Sequence, residues 1–263
     1  MARPTRNRAP RKKTSTDTLI FRALIISSVI LSNVIIAMES ISGFEFQSSE
    51  IQSLQSDTFG NPAVLWVDQG STLFTDEPNS CKSCHESNLS KAAANYPKYS
   101  NDQKKVLNLE QRINACRVSY QKKLPLEYES KELLSLTAYL VEIGRGQPLQ
   151  IRLDEDSVKT FKAGEHYYFE RRGQLNIACN QCHDDNVGRK LRGDTLSQGQ
   201  PVGYPAYRLE WQNLGSLHRR FRSCNIGVRA EPFEYGSPEY VALEFYLAWR
   251  AKGLIIEGPG VRR

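Results

Sequence analysis

The chain has 263 residues, 35 Lys+Arg against 29 Asp+Glu, and a formal net charge of +6. Residues 1–42 hold seven Lys/Arg and two acids, so that segment alone supplies +5 and the rest is close to neutral. The high pI is therefore no argument for nucleic-acid binding, and the ~220 residues that follow suit two domains of about 100 each.

Arg3, Arg6, Arg8, Arg11, Lys12 and Lys13 precede an apolar run from Ala23 to Met38, broken only by Ser27, Ser28, Ser32 and Asn33. A basic head and an apolar stretch of this size form the pattern of a secretory signal, short for a membrane span. Residues 1–42 are expected to be a signal peptide cut near Ser42, with export to the periplasm and no stable membrane span afterwards. An uncleaved anchor is the alternative.

Residues 43–60 are polar and rich in Ser and Gln and are expected to form an N-terminal arm. Residues 61–76 have the period of an amphipathic helix with Leu65, Trp66 and Phe74 turned inward. A turn at Pro78-Asn79-Ser80 leads into Cys81-Lys82-Ser83-Cys84-His85. Lys104 to Lys123 reads as a second helix ended by Pro125, and Lys131 to Val141 as a third closed by Gly144 and Gly146. The pattern then restarts. Asp156 to Arg171 is helix-like, Gly173 breaks it, and Cys179-Asn180-Gln181-Cys182-His183 follows. Residues 184–206 are expected to be a long loop. Leu209 to Phe221 is a helical candidate, Pro238 to Ala251 a final helix, and Gly258-Pro259-Gly260 part of a loop-like tail.

The restart is an internal duplication. Glu132–Leu140 aligns with Glu239–Leu247 at an offset of 107, Arg112–Cys116 with Arg220–Cys224 at 108, and the two cysteine boxes at 98. The expected fold is mainly α, with two tandem cytochrome c-like domains at residues 61–150 and 151–263.

Each box is C-x-x-C-H, the sequence that attaches a c-type haem. Two thiols, Cys81 and Cys84 or Cys179 and Cys182, bond the macrocycle. The next residue, His85 or His183, turns its imidazole onto the iron. Zinc is the competing use of paired cysteines. A histidine after both pairs, their wide separation and the signs of export favour two covalently bound haems.

The other side of each iron is reached by elimination. The only methionines are Met1 and Met38, both in the signal segment. His166, His218, Cys116 and Cys224 remain as strong ligands. Cys116 and Cys224 occupy equivalent places after their boxes, each four residues after an arginine. Cys116 is therefore assigned to the first iron and Cys224 to the second. A Cys116–Cys224 disulfide and His218 as ligand are the alternatives; a propionate partner or a surface position suits His218 better. A thiolate ligand favours ferric iron and lowers the potential, which disfavours a simple electron wire and points to the ligated sulfur as the reactive centre. Arg220 lies one helical turn before Cys224, where a guanidinium would depress the thiol pKa and fork onto a small oxyanion. Neutralising a haem propionate is its alternative role, and Arg112 in the first repeat supports that.

The run Gly203-Tyr204-Pro205-Ala206-Tyr207-Arg208-Leu209-Glu210-Trp211-Gln212, then Gly215 to Arg220, Cys224, Val228 to Pro232 and Gly236-Ser237, closely resembles the SoxA family. So does Asn61-Pro62-Ala63 with Trp66-Val67. The members are cytochrome subunits of sulfur-oxidising bacteria. The resemblance implies an L-cysteine S-thiosulfotransferase, in which thiosulfate is joined oxidatively to a cysteine of a SoxYZ carrier and electrons pass to cytochrome c. It implies a heterodimer with a SoxX-type monohaem cytochrome whose haem accepts those electrons. It makes Cys224 catalytic, as thiolate or persulfide, and Arg220 a substrate contact. The first haem lies in the other domain, with ligation that gives it no obvious acceptor role, and is read as mainly structural or vestigial. A dihaem thiosulfate dehydrogenase forming tetrathionate and a pure electron-transfer cytochrome are the competing functions.

Overall fold

The computed structural model describes residues 39–75, 80–85 and 89–263. The basic head and apolar run read as a signal lie outside the described residues. The described part is mainly α, with eight α-helices and seven short strands. No helix among the described residues is long and apolar enough to cross a membrane.

The first half is built on two helices, α2 (Val64–Thr75) and α4 (Lys131–Ile143), which pack along each other. Gly70 is their crossing point: a Cβ there would lie 2.0 Å from the Ser135 carbonyl oxygen. The second half repeats the arrangement with α5 (Val158–Phe169) along α8 (Pro238–Arg250). A Cβ on Gly164 would lie 1.9 Å from the Ala242 carbonyl oxygen. Only glycine lets the backbones approach this closely. Ser130 and Ser237 cap α4 and α8, accepting from the backbone amides of Leu133 and Tyr240. Each such cap is worth about 1 kcal/mol.

The inward face of α2 differs from the sequence expectation. Phe74 is buried and Trp66 partly so, whereas Leu65 is 71% exposed. Leu65 and Phe74 are nine residues apart, which at 3.6 residues per turn puts them on opposite faces. Trp66, eight residues from Phe74, falls on the buried side.

Two expected helices are shorter, and each follows a hairpin. Strand β1 (Lys98–Ser100) pairs antiparallel with β2 (Lys105–Leu107). Asn108 then caps α3 (Leu109–Cys116), accepting from the Gln111 amide. In the second half β5 (Ala206–Arg208) pairs antiparallel with β6 (Asn213–Gly215), turning at Gln212 with φ 47°. Ser216 then caps α7 (Leu217–Gly227), accepting from the Arg219 amide. The same hairpin, cap and helix thus deliver Cys116 and Cys224. After Cys116 the first copy departs into a π-helical turn at Arg117–Gln121.

The remaining segments carry more structure than expected. The arm holds a 3-10 turn at Gly43–Phe46 and α1 (Ser49–Ser56). The loop after the second box contains a small hairpin, β3 (Lys190–Leu191) with β4 (Asp194–Thr195). The tail adds β7 (Gly260–Arg262) parallel to β5.

One apolar core runs through both helix pairs, from Phe74 and Leu136 to Phe161, Tyr240 and Phe245. Each fully buried aromatic or aliphatic side chain contributes roughly 1.5–3 kcal/mol. Where the halves meet, a cavity of about 70 Å³ is lined by Tyr96, Glu110, Thr137, Tyr204, Leu217 and Glu244. Glu244 accepts from the Asn108 side chain at 3.0 Å and from His218 Nε2 at 3.0 Å. His218 Nδ1 accepts from the Gly236 amide at 3.0 Å, so both ring nitrogens are in use. His218 is 1% exposed, and so it is neither a surface residue nor free to ligate iron.

Burial, and then the Glu244 carboxylate, push the Glu110 carboxyl up to about 8 from an ordinary 4.5. The folded chain therefore keeps a proton that the unfolded chain loses above about pH 4.5, and stability falls as pH rises toward 8. Glu110→Gln keeps the neutral shape. Its denaturation midpoint, measured against wild type, is expected to gain steadily between about pH 5 and pH 8.

Candidate functional site

The second box is a short helix, α6 (Cys179–His183). The Gln181 side chain accepts from the Ala178 amide at 2.9 Å and fixes its start. Its exit is fixed by Asp184, which accepts from Tyr168 Oη at 2.8 Å and pairs with Arg250 at 2.5 Å. Tyr168 also stacks under the Arg250 guanidinium, 4.4 Å from the ring centre. These partners hold the histidine's backbone on both sides.

His183 Nδ1 lies 2.7 Å from the Ser197 carbonyl oxygen. A carbonyl only accepts, so Nδ1 carries the proton and Nε2 is left with its lone pair, the form a metal-ligating histidine takes. Burial lowers the His183 pKa and keeps the ring neutral. Gly199, with φ 73°, backs onto the same ring; a Cβ there would lie 3.1 Å from Cγ. Ser197 and Gly199 are contacts that sequence reasoning missed, and their only signal was a glycine inside a Gln-rich loop.

Cys224 is exposed on α7, in the neighbourhood of the second box, where its charge would act on both Cys179 and Cys182. Burial, and then the neighbouring Cys224, push the Cys179 thiol up to about 12. Such a thiol stays protonated and unreactive as an anion unless bonded or metal-bound. Arg220 stands one turn before Cys224, and the negative field of the Cys224 sulfur is the chief cause raising its pKa. Tyr204, Asp194 and Glu210 add to that effect, while burial opposes it. Among the described residues the Arg220 side chain makes no hydrogen bond or ion pair, so its fork is open to a ligand. Its neighbour Arg219 differs: it stacks on Trp211 at 4.5 Å and pairs with Glu129 at 3.7 Å.

The first box, Cys81 and Cys84, has Cys116 in its neighbourhood. Burial raises the pKa of Cys81 and Cys116, each feeling a negative neighbour, Cys116 for the former and Cys84 for the latter. The Gln121 side-chain amide donates to Cys81 Sγ at 3.6 Å. His85 is exposed and follows Cys84 directly. Cys116 is more enclosed than Cys224. No disulfide links these cysteines: all six are free. His166 is exposed on α5.

The donors present suit a c-type haem. Paired thiols at the attachment spacing sit beside a histidine whose Nε2 keeps its lone pair. Among the described residues no group of three or more His, Cys, Asp or Glu side chains is placed to hold a metal ion. By fold and site the chain is a c-type cytochrome, a mainly α protein that carries covalently bound haem.

The comparisons narrow the class. The family model for the SoxA/TsdA cytochrome c domain matches residues 69–149. The chain is 36% identical over 233 residues to the L-cysteine S-thiosulfotransferase subunit SoxA of Pseudaminobacter salicylatoxidans, covering 86% of this chain and 82% of that one. It is 36% identical over 228 residues to the same subunit of Rhodovulum sulfidophilum, covering 84% and 79%. The crystal structure of SoxXA from P. pantotrophus superposes with a TM-score of 0.81 at 32% identity, covering 85% of this chain and 87% of that one. The chain belongs to the SoxA family.

Proposed function

We propose that this chain is the dihaem catalytic subunit of a periplasmic L-cysteine S-thiosulfotransferase. An export signal lies within residues 1–42 and an arm spans 43–60. Two tandem cytochrome c-like domains follow, at 61–150 and 151–263. Cys81 and Cys84 attach one haem, with His85 and Cys116 on its iron. Cys179 and Cys182 attach the other, with His183 and Cys224 on its iron. Haem, when bound, supplies one-electron redox chemistry and an iron that keeps the facing sulfur deprotonated.

The observation that carries this reading is the pairing of an exposed Cys224 with an unpartnered Arg220 one turn away. Thiosulfate is a small dianion with a terminal sulfur. Arg220 forks onto its sulfonate oxygens and aims that sulfur at Cys224 Sγ. A bond forms between the Cys224 thiolate sulfur and that terminal sulfur to give Cys224 Sγ–S–SO₃⁻, releasing two electrons. The electrons go by way of a SoxX-type partner to a cytochrome c. A thiol of a SoxYZ-type carrier then exchanges with Cys224, takes the S–SO₃⁻ group and returns the cysteine. The net change is one new bond between carrier and thiosulfate.

Supplying thiosulfate and an acceptor with and without carrier tests this. Product on the carrier cysteine supports it; rapid tetrathionate formation without carrier identifies a thiosulfate dehydrogenase instead. Arg220→Lys keeps the charge and loses the fork. It is expected to raise KM for thiosulfate by ~10-fold or more, the order of one charge-assisted hydrogen bond, with both haems retained. Loss of the second haem in that variant would make Arg220 a propionate partner.

A further inference from the structure

The N-terminal arm is tied to the loop that supports His183. Gln198 and Gln200 flank Gly199, the residue backed against the imidazole, and both are buried. The Ile41 amide donates to Gln198 Oε1 at 2.7 Å. Gln200 Nε2 donates to Ser40 Oγ at 2.8 Å. A Cβ on Gly43 would lie 4.0 Å from Ser197 Oγ, on the residue whose carbonyl holds Nδ1. Three consecutive contacts thus press residues 40–43 onto a loop of four residues.

The arm is itself anchored from behind. Ser42 Oγ donates to Glu257, and Gln55 Nε2 donates to the same carboxylate at 3.1 Å. Gln55 Oε1 accepts from the Val261 amide at 2.8 Å and from Arg262 Nη1 at 2.5 Å. Arg262 closes the set on Glu257 at 2.5 Å. Burial would raise the Glu257 carboxyl, but Arg262 and these donors hold it below its ordinary value, so the anchor is ionised. Gln55, Gln198, Gln200 and Arg262 are each at least nine-tenths buried. A network of this kind is rigid where its members are satisfied, and among the described residues Gln200 Oε1 is its one buried acceptor without a partner.

We propose that residues Ser40–Ser56 are a strap that holds the Ser197–Gln200 loop against His183, and that Gln198 and Gln200 are positioning residues for that histidine. This rests on the reading of His183 as the ligand of the second iron. The strap fixes the imidazole through the Ser197 carbonyl and Gly199, so it acts on the ligand's orientation and hydrogen bond, both of which tune an iron's spectrum and potential. It also places the signal cut before Ser40, earlier than the cut near Ser42 expected from the sequence, because Ser40 and Ile41 carry two of the ties.

The test uses the exported holoprotein. Gln198→Leu with Gln200→Leu removes both side-chain ties, Ile41→Pro removes one from the arm's side, and Gln198→Glu keeps the acceptor. Cleavage at Glu45 or Glu50 by a glutamate-specific protease reports strap release. Electron paramagnetic resonance and a redox titration report the second haem, whose signal is assigned with His183→Ala. The first two variants are expected to speed cleavage at least ~10-fold and to shift the second haem's g-values and potential, leaving the first haem unchanged. Gln198→Glu is expected to restore both. Release of the strap with no change at the second haem overturns the proposal, and so does a mature chain that starts at Gly43. Should His183→Ala itself leave both haem signals unchanged, the ligand reading falls and takes the proposal with it, a result distinct from silent strap variants alone.

Discussion

Cys224→Ala is expected to lower carrier-dependent thiosulfate turnover at least ~10³-fold, which corresponds to about 4 kcal/mol of barrier. The sulfur proposed to bond the substrate is gone, and Cys179 and Cys182, proposed to attach the haem, do not replace it. Haem content, measured as the pyridine haemochrome, is expected to stay at two per chain. The matched variant Cys116→Ala is expected to keep turnover within ~3-fold, well short of the loss that follows removal of a reacting group. The contrast has a structural cause. Cys116 and Cys224 stand on equivalent helices after equivalent arginines, yet Cys224 is exposed and Cys116 is not. Carrier-dependent turnover surviving in Cys224→Ala would reduce that residue to a tuner of the iron.

The largest expected effect on stability comes from Gly164→Ala. At an exposed helical position this change stabilises by about 1 kcal/mol, because alanine is the better helix former. Here the new Cβ would lie 1.9 Å from the Ala242 carbonyl oxygen and 2.9 Å from Tyr246 Cβ. The α5 and α8 backbones must separate to admit it, and overpacking costs typically 1–3 kcal/mol, with a backbone obstacle at the upper end. A net loss of about 2 kcal/mol lowers Tm by roughly 4–8 °C in a protein of this size. Gly70→Ala meets the Ser135 carbonyl oxygen in the same way and is expected to match it. Thermal denaturation of the two holoproteins measures both; an unchanged or raised Tm would mean that the helices do not touch at these glycines.

The chemistry was more legible than the scaffold. The paired boxes, the absence of methionine after Met38 and the repeat single out Cys116, Cys224 and Arg220 as candidates, because covalent attachment and ligation constrain spacing tightly. Helix limits were harder. Leu209 to Phe221 has enough apolar residues to suggest a helix, but Gln212 turns the chain into a hairpin and the helix starts only after the Ser216 cap. Asn108 marks the corresponding start in the first repeat, a cap signal that lay within the segment read as helix. His218 was misread because its arginine neighbours suggest a surface, while its own side chain points into the core onto Glu244. The partners of the His183 loop could not be read at all: Ser40, Ile41 and Gln55 meet residues more than 150 positions away through short polar side chains that leave no periodic trace.

The stitch between Gln55, Glu257 and Arg262 also sets an order of events. A ribosome produces residue 55 and then residue 183 long before residue 262. The arm's ties to Gln198 and Gln200 can therefore form before its anchor on Glu257, Val261 and Arg262 exists. Once the last strand pairs with β5, the anchor behind the arm is complete.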